Sequence, residues 1–127
     1  MVCVDSDVLI NFLRDEPSAI NQITQLIKNS EDLSTTSVNA FELLKGVSNV
    51  SRHKEEKIRT FLSRFNILNF DFESSKKAAK IFSNLKESGN SLDLADIMIA
   101  SIAITNNQPL LTKNKKHFER IEELRLQ

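Results

Sequence analysis

Three acidic side chains stand where an apolar run gives way to a helix or a helix begins. Asp5 closes the β-branched run Val2-Cys3-Val4 and is followed by Ser6-Asp7 and the apolar Val8-Leu9-Ile10. Glu42 lies between Phe41 and Leu43 on a helix that follows the Thr-rich stretch Leu33–Ser37, and Asp96 opens the segment Leu92–Ile104, whose only polar residues are Asp93, Asp96 and Ser101. Each has an ordinary explanation as well. Asp5, Ser6 or Asp7 suits a helix cap, and a Glu on an amphipathic helix is commonly solvated. Asp96 is harder to dismiss, because an ionised carboxylate in a buried helix is costly unless a cation or the helix N-terminus compensates it. Asp93 is one turn earlier on the same face and is expected to be the cap. Asn114, after a later strand, is a fourth polar group at the same edge.

Three carboxylates confined together repel one another, so either one holds a proton or a hard divalent cation sits between them. With oxygen donors and neither His nor Cys among them, Mg²⁺ or Mn²⁺ is favoured over zinc. Such ions suit phosphoryl transfer, in which a bound water is made more acidic and charge on the phosphate is neutralised. No Ser-His-Asp or Cys-His set competes for the role; His53 and His117 both sit on charged segments.

The elements that must position these groups follow from periodicity. A strand at Val2–Val4 leads into a helix from about Val8 to Arg14. Ile20, Ile23, Leu26 and Ile27 mark a second helix after the Glu16-Pro17-Ser18 break. Leu33–Ser37 is a second strand, with Ser37 placed to cap the helix carrying Ala40, Phe41, Leu43, Leu44 and Val47. A basic helix is expected over Lys54–Phe65, with Ile58, Phe61, Leu62 and Phe65 inward. Ile67–Phe70 is a third strand. Ala78, Ala79, Ile81, Phe82 and Leu85 give a helix over Glu73–Lys86 that Gly89-Asn90 ends. Leu92–Ile104, apolar nearly all round, must be buried. Pro109–Thr112 is a fourth strand, Asn114–Arg120 a polar turn anchored by Phe118, and Leu124–Leu126 a fifth strand. Strands alternating with helices predict one α/β domain over residues 1–127, with a mostly parallel sheet of about five strands covered on both faces.

Charge is balanced overall, 17 basic against 17 acidic residues, which gives no overall basic field of the kind that advertises nucleic-acid binding. The distribution is uneven. Residues 1–44 carry a net charge of −5 and residues 45–64 a net of +4, an acidic site beside a basic shoulder that suits a metal plus a phosphodiester. Phosphate contacts are expected from the segment Lys45–Arg64, Lys45 first, and from Lys113, Lys115 and Lys116. The single Cys3 excludes an internal disulfide and fits a reducing cytoplasm. No charged-then-apolar leader opens the chain, and no apolar stretch is long enough to span a bilayer, so a soluble cytoplasmic protein without a membrane partner is expected.

These stretches, taken in order, resemble a PIN domain, specifically the small ribonuclease toxins of the VapC type. Val4-Asp5-Ser6-Asp7-Val8-Leu9-Ile10 is similar to the family's opening motif, Ser37 through Glu42-Leu43-Leu44-Lys45-Gly46 to its second, Asp96 through Ala103 to its third, and Leu111-Thr112-Lys113-Asn114 through His117-Phe118 to its last. The resemblance covers essentially the whole chain. It implies metal ligation by Asp5, Glu42 and Asp96 with Mg²⁺ or Mn²⁺, and Asp93, Thr112 and Asn114 supporting them or filling a fourth position. It further implies endonucleolytic cleavage of RNA, a homodimer, and a cognate antitoxin whose tail enters the groove. The chain has Asn114 where many relatives have a fourth Asp, which leaves a second metal open. Other readings stand beside it: a PIN-type RNA-processing nuclease that is not a toxin, or an α/β binding module whose acids are only caps and solvated surface. A haloacid-dehalogenase-type phosphatase fits Asp5-Ser6-Asp7 but calls for a late strand ending in paired acids. A receiver domain calls for a strand where only Gly89-Asn90-Ser91 separates two helices.

Overall fold

The computed structural model describes all 127 residues. In chain order the elements are β1 (Val2–Val4), α1 (Ser6–Leu13), α2 (Pro17–Lys28), β2 (Leu33–Thr36), α3 (Ser37–Lys45), α4 (Arg52–Leu62), β3 (Asn66–Leu68), α5 (Phe72–Glu87), α6 (Leu94–Thr105), β4 (Leu110–Leu111) and α7 (Lys115–Phe118). The strands pair in the order β3-β2-β1-β4, all parallel. The chain therefore steps outward in one direction from β1 to β3 and returns to the other side of β1 for β4. In open α/β sheets such a reversal opens a crevice beyond the strands' carboxyl ends, where ligands bind. Here the crevice lies between the ends of β1 and β4, at Asp5 and Thr112.

Side-chain alternation in the short strands feeds two cores, one on each face. Val2, Val4 and Leu111 pack with Val8, Leu9, Ala19, Ile23, Leu26, Leu43, Phe61, Leu62 and Phe65 from α1 to α4 and the turn after α4. Cys3 and Leu110 face the other way, onto Ala78, Ile81 and Leu85 of α5, Ile97 and Ala100 of α6, and Phe118. The uniformly apolar α6 is buried as its composition requires: Ile99, Ala100, Ile102 and Ala103 are fully covered. Phe118 is likewise fully buried and anchors the segment after β4.

The expected parallel sheet of about five strands is found as four strands with Leu126 joined to Leu110 by a single parallel bridge, held by Leu110 N–H to Arg125 O and Gln127 N–H to Leu110 O, each 2.9 Å. Several local expectations need correction. Residues 115–118, taken as part of a turn, form the helical turn α7. The cap of α3 is Thr36 rather than Ser37: Thr36 Oγ1 accepts the Asn39 N–H, and Asn39 reciprocates at the Thr36 N–H. On α5, Phe82 and Ala79 face solvent rather than the core. The expected end of α5 is found. Gly89 takes φ +76, and Asn90 N–H reaches Leu85 O at 2.9 Å.

Candidate active site

Asp5 is delivered by β1 into the crevice and is almost fully buried. Its N–H bonds Leu111 O at 2.9 Å, locking β1 to β4 at the site. Both carboxylate oxygens are occupied. Oδ1 accepts from Ser6 N–H (2.8 Å) and from Asn39 Nδ2 (2.9 Å), and Oδ2 accepts from Thr112 Oγ1 (2.7 Å). Asp5 is thus the N-cap of α1 and also the centre of a network that joins β1, α3 and the end of β4. Asn39 Nδ2 also donates to Ser6 Oγ at 2.6 Å, and Ser6 Oγ donates to Glu42 Oε1 at 2.7 Å. Glu42 is therefore linked to Asp5 through two side chains. Its place on α3 is set by the Thr36–Asn39 cap at the helix start.

Asp7, half-buried on α1, enters from the other side. Its Oδ2 accepts Lys113 N–H at 3.0 Å and lies 3.3 Å from Thr112 Oγ1, which in turn accepts Asn114 N–H at 3.1 Å. Of the expected supporting residues, Thr112 is embedded in the network. Asn114 contributes only its backbone and is otherwise an exposed residue at the start of α7. Asp93 holds the N-cap position of α6 but makes no side-chain cap bond, so the expected cap role fails in its geometry. Its carboxylate is exposed and acts on Asp96 through charge instead.

The electrostatics are those of crowded, uncompensated acids. Burial first, and Asp7 second, push the Asp5 carboxyl up to about 6. Burial also raises Asp96, followed by the charges of Asp93 and Glu42, with His117 opposing and Asp7 adding to the rise. Asp96 is therefore within electrostatic reach of Glu42 and Asp7. The four ion pairs of the protein involve none of Asp5, Asp7, Glu42, Asp93 or Asp96. As the side chains stand, no three His, Cys, Asp or Glu groups close around one point. The donor chemistry nonetheless fits a hard divalent cation: carboxylate oxygens only, with a surplus of negative charge and no ion pair to offset it.

Cations stand beside the acids rather than among them. Lys113, Lys115, Lys116 and His117 line a wholly polar groove with Ser18 and Gln22 that reaches Thr112. Lys45 shares a second groove with Glu42. His53 and Lys57 of α4, with Arg64, line a separate groove beside Leu13 and Phe61, so of the expected basic shoulder it is Lys45 that adjoins an acid of the site.

A PIN domain family model matches residues 2–124. The chain belongs to the PIN domain family. It is 33% identical over 126 residues to Ribonuclease VapC1 of Methanocaldococcus jannaschii, covering 98% of this chain and 84% of that protein. It is also 33% identical to Ribonuclease VapC of Rickettsia bellii, covering 95% and 90%. Among solved structures, VapBC2 of Rickettsia felis bound to a promoter DNA fragment matches with a TM-score of 0.88 at 29% identity, covering 100% of this chain and 98% of that one. VapBC-1 of Haemophilus influenzae matches at 0.87 and 25% identity, covering 100% and 97%.

Against this PIN fold the reading from sequence missed three network members. Asp7 and Ser6 enter the sequence reading as caps or as part of the phosphatase-like Asp5-Ser6-Asp7, not as members of this network. Asn39 went unnoticed because the cap of α3 was assigned one residue too late; the Thr36-x-x-Asn39 spacing was the available signal.

Proposed function

We propose that this PIN domain is a ribonuclease of the VapC type that holds Mg²⁺ or Mn²⁺ with Asp5, Glu42 and Asp96 and hydrolyses RNA phosphodiester bonds, as the toxin half of a toxin–antitoxin pair. The observation that carries the reading is the convergence of Asp5, Asp7, Glu42 and Asp96 on one crevice with no ion pair among them, burial raising the Asp5 and Asp96 carboxyls. When bound, the metal ion supplies charge neutralisation at the phosphate and a more acidic water. The protein supplies the rest. Asn39, Ser6 and Thr112 fix the Asp5 and Glu42 carboxylates by hydrogen bonds that need no rearrangement of the backbone. Glu42 would be one of the residues holding the ion, its carboxylate positioned by the Ser6 hydroxyl at Oε1. The backbone N–H of Lys113 holds Asp7 beside Asp5, adding negative charge to the site, and Lys113, Lys115 and Lys116 draw in the RNA phosphates. Burial of Asp5 keeps bulk water from screening these charges.

Support for a protein partner comes from the VapBC complexes of similar fold, and an inhibitory segment for this site would carry an Arg for the carboxylates. Self-association is part of the same reading. Phe72 and Phe82 leave α5 with exposed aromatic surface for it, whereas Phe12, Phe61 and Phe65 pack on one another within the chain, with ring centroids 5.5 Å (Phe12–Phe61) and 5.2 Å (Phe61–Phe65) apart.

The test is cleavage of a mixed-sequence RNA by metal-stripped protein. No products are expected in EDTA, and full activity is expected on adding Mg²⁺ or Mn²⁺. Undiminished cleavage in excess chelator contradicts the reading. A protein that neither cleaves RNA nor melts higher with Mn²⁺ is the binding module instead.

A further inference from the structure

Phe41 is 63% exposed, immediately precedes Glu42, and forms with Val38, Lys45, Ala95 and Met98 the wall of a groove of about 340 Å³ that also holds Glu42. A large aromatic left in water has no partner within this chain except the Lys45 ammonium, 5.6 Å from its ring centroid. The groove that reaches Thr112 on the β4–α7 side is different in kind: its lining residues are all polar, and Lys113, Lys115 and Lys116 are among them. A ligand that satisfies both grooves must be a polyanion bearing flat apolar groups with open faces. Single-stranded nucleic acid answers that description, because bases stack on aromatic side chains while the backbone tracks the cations. In a duplex each base face is covered by its neighbours, so Phe41 has nothing to stack on.

Resting on the ribonuclease reading above, we propose that Phe41 is a stacking platform for one unpaired base next to the scissile phosphate, with Lys45 serving the adjoining phosphate. Two features favour a nucleotide over a peptide as the occupant. The groove is shared with Glu42 of the acid cluster, and Lys45, one helical turn beyond Phe41, holds its ammonium 5.6 Å from the ring centroid, so a base on the ring has a cation within reach of its phosphate. The Lys45 stem is flexible enough for its ammonium to exchange the ring for that phosphate.

The protein contains no Trp and no Tyr, so Phe41→Trp introduces a single fluorophore at the platform. In an Asp96→Asn background, which slows turnover, its emission should be quenched by an unstructured RNA oligonucleotide and not by the same sequence held in a duplex. In the otherwise wild-type chain, Phe41→Ala should raise KM about tenfold or more with kcat nearly unchanged. Phe41→Tyr should restore KM, and each Phe41 variant should melt as its parent with Phe41 does, because the ring is exposed. RNA that binds by anisotropy without quenching the Trp, an unchanged KM in Phe41→Ala, or equal cleavage of stem and loop overturns the proposal while leaving the ribonuclease reading intact. Phe41→Ala that cleaves normally but escapes inhibition by the protein encoded beside it assigns the groove to that partner and also overturns the proposal. A wild-type chain that cleaves no RNA removes the ribonuclease reading itself, and this proposal with it.

Discussion

Asp5→Asn should make the metal-free protein more stable while destroying its activity. The wild-type carboxyl is raised from 3.8 to about 6, chiefly by burial. A rise of about 2 units corresponds to roughly 3 kcal/mol at about 1.4 kcal/mol per unit. The sign follows from the proton's preference for the folded state. Below about pH 4 both states are protonated and the native protein bears no penalty; stability is lost as pH rises through about 6 and stays lost above it. An amide in place of the carboxylate escapes that penalty and keeps the network. Its oxygen accepts from Ser6 N–H and Asn39, and its nitrogen donates to Thr112 Oγ1, which turns its own hydrogen to Asp7 Oδ2 at 3.3 Å. Urea unfolding in EDTA should therefore find the variant more stable by about 2–3 kcal/mol at about pH 8, a gap that vanishes near pH 4. Added Mn²⁺ should reverse the order, since only the wild type gains from binding. A variant less stable than wild type at about pH 8, or a gap that does not change with pH, refutes the argument that Asp5 is held charged at a cost for the sake of a ligand.

Replacing Lys113, Lys115 and Lys116 together by Gln should make the log–log dependence of RNA binding on salt shallower by about 2, the value expected for three lost single-strand phosphate contacts; an unchanged slope places the RNA elsewhere. Ser30→Gly should raise stability by up to about 1 kcal/mol, because Ser30 holds φ +59 at the exposed end of α2, where a side chain is strained. Chemical unfolding with no gain there shows that the left-handed conformation is already relaxed.

What was legible in the sequence is what depends on neighbours along the chain. The alternation of strands with amphipathic helices gave the parallel sheet, and the apolar run of α6 gave its burial, since a helix without a polar face has no other place. Gly89 announced the end of α5. The ends of α1, α2 and α6 also fall within a residue of those expected, although Asp15, Ser30 and Asn107, which turn the chain there, take a positive φ without being glycine. Asp5 and Glu42 stood out by position, but their connection did not. Asn39 and Ser6 reach them across 34 and 36 positions of chain, and Thr112 reaches Asp5 across 107; only the strand order 3-2-1-4 brings those groups together. The fifth strand shrank to one bridge at Leu126 for a comparable reason. Its partner β4 is two residues long and has little ladder to extend.

The measurement that bears most directly on the central claim is calorimetric titration of Mn²⁺ into metal-stripped wild type, Asp96→Asn and Asp93→Asn, read alongside RNA cleavage by each. Binding and cleavage are expected of the wild type, loss of both by orders of magnitude in Asp96→Asn, and no more than a few-fold weakening in Asp93→Asn, whose exposed carboxylate only adds charge at Asp96. Asp96→Asn binding and cleaving normally while Asp93→Asn does neither would move the ligand one helical turn toward the start of α6 and contradict the site described here.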